Sequence, residues 1–339
     1  MSQGVSSTTF EKYFVPSPSK YPIFGSVALL LMGSGAALWV NHFKPGPMVF
    51  ALSFAVLLYM LFGWFGTVIR ESETGQYGKQ VDKAFRWSMG WFIFSEVMFF
   101  AAFFGVLFYV RNISVPDLGS SLQQLLWPGF KAAWPTSGPF LKDPFEAMGW
   151  VGQSALGLTL MICAAATLVY AHHPLEKGQR GQLQLVLSLT IVLVILFLGS
   201  MSIKWLPAVN TALLLSSAAT LTWAHWAIRR GMRGQFNLFL ALTILLGITF
   251  LGCQSYEYIH AYAAGMKLTS GVYGSTFFMM TGFHGLHVTI GAIMLTVMLV
   301  RSLRGHFTQE RHFAFEAAAW YWHFVDYVWL LLFVLVYVL

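Results

Sequence analysis

Stretches of about twenty predominantly apolar residues recur from one end of the chain to the other. That is the length a helix needs to cross the ~30 Å hydrocarbon core of a bilayer. In lipid, such a segment must satisfy its backbone polar groups internally, so the chain is expected to fold as a bundle of membrane-spanning helices. Nine spans are expected, at 22–40, 48–69, 87–110, 149–171, 182–203, 206–228, 235–263, 273–300 and 315–338. Only 10% of the residues are charged, against about 25% in soluble domains, and mean hydropathy is +0.65. The recurrence of full-length apolar runs argues against a soluble protein with a greasy core.

The expected fold class is therefore all-α, a polytopic transmembrane helix bundle forming a single membrane domain over 1–339. Residues 22–69 hold the first two helices and 87–110 the third. The Pro- and Trp-containing stretch 111–148 reads as an extramembrane loop. Residues 149–203 form a helical hairpin, and 206–338 hold the remaining four helices. The polar N-terminal stretch has no hydrophobic signal core, so the first span is expected to direct insertion. Cys163 and Cys253 both lie inside apolar spans and show no metal-type spacing.

The net charge of +7 is distributed as a topology signal rather than as a nucleic-acid footprint. With the N-terminus in the cytoplasm, the cytoplasmic side holds 14 Lys and Arg, including Arg70, Lys79, Arg229, Arg230, Arg233, Arg301 and Arg304, and the far side holds 6. This bias predicts a cytoplasmic N-terminus and a periplasmic C-terminus, with no nucleic-acid partner.

Two segments repeat without a gap. "AATLVYAHHPLEKGQRGQLQLVLSLTIVLVILFLG" at 165–199 matches "AATLTWAHWAIRRGMRGQFNLFLALTILLGITFLG" at 218–252 in 20 of 35 positions. His172 aligns with His225 and Gly178 with Gly231. Leucine matches between apolar helices are cheap, but an ungapped match through the polar turn is not. Tandem duplication of one helical hairpin explains it. Transporters usually repeat whole halves, often inverted, and this pattern does not.

Within the spans, Glu96 in "FSEVMFF" is the carboxylate that stands out, about ten residues in from Arg86 and so ~15 Å deep at ~1.5 Å per residue. An ionised form costs several kcal/mol there. Either Glu96 is a proton-active or lipid-contacting group, which is the favoured reading, or it is a protonated carboxyl hydrogen-bonded within the bundle. His284 and His287 in "GFHGLH" are three apart on one helix. Hydrogen bonding between helices is preferred to a metal or haem role, because no further ligands are evident. His323 and Asp326 in "WYWHFVD" share that spacing and read as structural, bonded to each other or set by interfacial Trp320, Tyr321 and Trp322. "AHH" at 171–173 reads as a headgroup contact. Arg70, Glu71, Arg301, Arg304 and His306 at helix ends fit anionic lipid headgroups or ordinary positive-inside charge equally well. No haem-attachment, phosphate-loop or metalloprotease motif is present. The chain thus offers one intramembrane carboxylate and scattered histidines, without catalytic residues or a metal site of its own.

"VIRES", "FSEVMFFAAFF", "WAHWAIRRGMRGQ", "QSYEY", "GVYGSTFFMMTGFHGLHVTIGAIML" and "FEAAAWYWHFVDYVWLLLFVLVYV" occur in this order. Together they closely resemble subunit III of the bacterial and mitochondrial cytochrome c oxidases. The resemblance implies a respiratory, proton-pumping complex in the bacterial inner membrane. This chain would carry no redox centre of its own and would pack beside subunit I, which holds the haems and copper, and with subunit II. It implies bound phospholipids in a cleft between the first two helices and the rest, support for proton uptake, and a place on an oxygen route. Glu96 corresponds to the family's carbodiimide-reactive carboxylate. Trp64, Arg70, Glu71, Arg301, Arg304 and His306 correspond to lipid-headgroup contacts. Glu316 lies in the C-terminal signature together with His323 and Asp326.

The family form has seven spans, which makes 149–203 the expected insertion. A peripheral hairpin there would suit lipid, a small accessory subunit or a neighbouring respiratory complex. Trp226 stands where the family's second histidine is found, whereas the first copy keeps His172 and His173. Two alternatives are subunit III of a haem-copper quinol oxidase, which usually lacks the two N-terminal helices, and a small-solute transporter, which would need broken helices and a polar midplane site.

Overall fold

The computed structural model describes residues 14–136, 138–139 and 206–338. The expected hairpin at 149–203, with Cys163, His172 and His173, lies outside the described residues. Among these there are no strands, and seven helices reach twenty residues or more: α1 (Tyr21–Val40), α2 (Gly46–Glu73), α3 (Lys79–Tyr109), α4 (Leu206–Arg229), α5 (Arg233–Ala263), α6 (Val272–Leu303) and α7 (Phe313–Leu332). All but α4 are long and apolar enough to cross a membrane.

Two boundaries differ from the apolar runs for a physical reason. α3 begins at Lys79 rather than near Trp87, because an Arg86–Asp82 pair (2.9 Å) sits on a polar first segment. Hydropathy finds the membrane-embedded part of a helix, not its full length. At its other end α3 runs through a wider π-type turn, Val110–Ser114, into a short helix at Val115–Leu118. The stretch expected to be a loop therefore opens with helix.

The described residues fall into two compact units that divide within α3, between Met89 and Gly90. In the first, α1 and α2 form a hairpin built on glycine. A Cβ at Gly35 would lie 2.6 Å from the Phe50 backbone nitrogen, and one at Gly46 would lie 2.4 Å from that of Trp39. Small residues let transmembrane backbones approach this closely. Most large apolar side chains of this hairpin, such as Leu29, Leu30, Phe54, Phe62 and Phe65, point outward, as a surface bathed in hydrocarbon requires.

The second unit is α4–α7 with the remainder of α3. α4 is the least apolar helix because it is interior. Asn210, Thr211, Ser217 and Thr220 are all buried on it, and three of them tie helices together. Thr220 and Thr243 share a 2.8 Å hydroxyl contact, Trp322 Nε1 donates to Ser217 Oγ (2.9 Å), and Trp329 Nε1 donates to Thr211 Oγ1 (3.0 Å). Polar side chains act as such cross-links between helices in membranes. The α4–α5 turn gives a physical reason for Gly231, the glycine that aligns with Gly178 of the first copy. Gly231 adopts φ +75°, a conformation open to glycine and strained for most residues. Trp226, which aligns with His173 of the first repeat copy, lies 3.9 Å beneath the Arg230 guanidinium, a cation–π arrangement.

Candidate functional site

Glu96 sits on α3, and its partner comes from 191 residues away. His287 Nε2 of α6 is 2.9 Å from Glu96 Oε2. The surroundings are aromatic: Phe100 meets His287 edge-on (5.0 Å), Phe99 lies 5.9 Å from its ring, and Tyr321 of α7 stacks on it at 6.3 Å. The side chains are 21% and 11% exposed for Glu96 and His287, so the pair is screened but not sealed.

The proton arrangement follows from the other imidazole nitrogen. His287 Nδ1 is 2.7 Å from the Phe283 carbonyl. A carbonyl oxygen only accepts, so Nδ1 carries the hydrogen. In the neutral ring Nε2 is then bare and accepts from a protonated Glu96. If the proton crosses, an imidazolium faces a carboxylate. The couple holds one exchangeable proton in either form and is electrically neutral in both, which is how a carboxyl can reside deep in a bilayer.

The i, i+3 histidines therefore part company. His287 meets Glu96, whereas His284 is fully buried, packed at 5.8 Å edge-on to Phe250 and 5.1 Å from Trp329. His323 Nδ1 lies 3.8 Å from Asp326 Oδ2, beyond hydrogen-bond range. Glu316 is in the first turn of α7, where the helix dipole favours a carboxylate. No cluster of three or more His, Cys, Asp or Glu suited to a metal occurs among the described residues.

The family model described as cytochrome c oxidase subunit III matches residues 11–206 and again 201–339. The chain belongs to this family. The double match fits the ungapped repeat. Proteins named cytochrome c oxidase subunit 3 from Gadus morhua, Cyprinus carpio and Carassius auratus are 38%, 37% and 37% identical over 326 residues, with 96% of each chain covered. The chain is thus a transmembrane subunit of a respiratory haem-copper oxidase, an enzyme complex.

The residues expected at lipid headgroups fall in different settings. In the first unit, Trp64 and Arg70 are exposed, while Glu71 accepts a 2.7 Å hydrogen bond from the Tyr77 hydroxyl. Burial, then that carboxylate, raise the Tyr77 phenol above its ordinary range, so it stays a donor and pins the α2–α3 turn. In the second unit, Gly305 (φ +81°) forms the turn that follows α6. Arg301 is buried with its guanidinium 4.9 Å over Phe307, and Arg304 is exposed.

Sequence reasoning passed over Glu257. It is the carboxyl of the 235–263 span, and its residue is 0% exposed. The signal was present in "QSYEY": an acidic residue six positions before the end of α5. The spans thus hold more than the one carboxylate expected: Glu257 on α5 and Asp326 on α7 are both buried, within a bundle that periodicity on a single helix does not reveal.

Proposed function

We propose that the chain acts as the non-redox subunit III of a proton-pumping cytochrome c oxidase in a bacterial inner membrane. It packs beside subunit I, in a complex that includes subunit II. The N-terminus is cytoplasmic and the C-terminus periplasmic, a reading supported by the Lys and Arg bias. The observation that carries the functional part is the Glu96–His287 couple. It is a neutral, one-proton store in an aromatic setting, placed to hold and return a proton while the chemistry of oxygen reduction proceeds at the haems and copper of the partner. The same apolar approach suits oxygen passage. Phospholipids bind at the basic helix ends.

Glu96→Gln tests the proton role. A glutamine amide donates to His287 Nε2 as a protonated glutamate would, so the fold and haem content of the purified oxidase are expected to be unchanged. The amide cannot release that proton. Proton uptake or the lifetime of turnover should fall modestly, as measured in reconstituted vesicles. Loss of haem in this variant would make Glu96 an assembly residue instead.

The basic residues are separable in the same way. Arg304→Ala should weaken retention of anionic lipid about fivefold, matching ~1 kcal/mol for one basic residue near an anionic surface, without lowering Tm. Arg301→Ala should lower both, because Arg301 also covers Phe307. Native mass spectrometry of the purified complex, with a parallel melting curve, reads both effects.

A further inference from the structure

α4 begins, α5 ends, α6 begins and α7 finishes at the same end of the second unit, away from the Arg229–Arg233 turn. Four polar side chains meet at that end. Asn210 and Glu257 are 0% exposed, Gln254 is 5% and Tyr337 is 4%. Their mutual bonding is incomplete. Asn210 Nδ2 reaches Gln254 Oε1 only at 3.4 Å. Asn210 Oδ1, Gln254 Nε2, both Glu257 carboxyl oxygens and the Tyr337 hydroxyl have no hydrogen-bond partner among the described residues. The Tyr337 hydroxyl faces both Gln254 and Glu257 without closing a bond to either. Neighbouring Tyr258 is already committed to Thr281 Oγ1 at 2.7 Å.

Native interiors rarely leave one buried polar side chain unmatched; here five atoms of four residues are unmatched together. We infer that Asn210, Gln254, Glu257 and Tyr337 form a buried hydration site, in which ordered water completes the hydrogen bonds of the Glu257 carboxyl. The mix of groups selects the ligand. Three of the atoms accept, the amide Nε2 donates, and the phenol does either. A cation would satisfy the oxygens but not the amide N–H. Water gives and takes, and two to four polar partners are what a buried water needs. The site gives Glu257 a water-completed setting, on a different helix from Glu96, whose partner is His287.

Electron cryo-microscopy of the intact oxidase, at a resolution that shows water, tests this. The expected result is water density within hydrogen-bond distance of a Glu257 oxygen and of at least one of Asn210 Oδ1, Gln254 Nε2 and Tyr337 Oη. Side chains closed directly on one another, a partner or lipid group filling the space, or density with only oxygen neighbours at cation distances would each overturn it. Two variants of the whole complex give an independent readout. Glu257→Gln should keep the water and the Tm. Glu257→Leu should expel it and lower the Tm, since the remaining three groups lose their bridge. An unchanged or raised Tm for Glu257→Leu would mean that the site is dry in the wild type.

Discussion

Replacing Gly247 with valine is expected to strip this subunit from the purified oxidase or to lower its retention severely. Trp322 of α7 is fully buried, and its ring packs against two glycines. A Cβ at Gly247 of α5 would stand 2.5 Å from Trp322 Cη2, and one at Gly291 of α6 would stand 2.8 Å from Cε3. Its indole nitrogen is held by Ser217 of α4, so moving the ring away from an added Cβ would strain that bond. One side chain thus sets the separation of α5, α6 and α7 and bonds to α4. Overpacking of a well-filled core costs about 1–3 kcal/mol, occasionally more, and valine adds two methyl groups beyond the clashing Cβ. Subunit stoichiometry after detergent purification checks the expectation. A cycle with Trp322→Phe sharpens it: the smaller ring opens the space, so the double variant should retain more subunit than the sum of the two single losses allows. Strict additivity would show that the glycine matters for some reason other than the tryptophan.

Gly247 and Trp322 also mark what sequence reasoning can reach. Runs of apolar residues locate the helices, because membrane thickness dictates their length. The polar repeat turn locates the duplication, and Gly231 with its positive φ gives that conservation between copies a physical cause. Glu96 stands out because a lone charge in an apolar run is costly. Its partner does not stand out. His287 is 191 positions away, and within its own helix the obvious companion is His284 at i+3 spacing. Helical periodicity reports which residues share a face; it does not report what that face meets. For the same reason Glu257, Asn210, Gln254 and Tyr337 look unremarkable one at a time on α4, on α5 and in the π-helical turn Phe333–Val338 that follows α7. Only the four-helix arrangement gathers them at one end. Composition likewise undervalues α4, whose hydroxyl groups lower its hydropathy while serving as the cross-links at its core.

Replacing His287 with leucine is the second large effect expected, and it separates the partner from the carboxyl. The histidine both accepts from Glu96 and donates to the Phe283 carbonyl. Leucine removes the acceptor that faces the Glu96 carboxyl and keeps the aromatic surroundings. A buried polar group left unmatched costs about 1–3 kcal/mol, and the carboxyl no longer has His287 to pass its proton to. Two measurements follow. The melting temperature of the complex should fall. In infrared difference spectra, the carboxylic C=O band of Glu96, identified by its absence in Glu96→Gln, should sharpen and cease to respond to turnover. Adding Glu96→Leu to His287→Leu should restore part of the lost stability, since replacing both partners by apolar groups is far cheaper than orphaning one. It should not restore proton uptake. That split, with stability recovered and proton uptake still low, distinguishes a proton-holding couple from a pair that merely fastens α3 to α6. In the latter case the double variant would recover both. If His287→Leu left the Glu96 band and the uptake rate as they are in the wild type, the couple would have no part in proton supply.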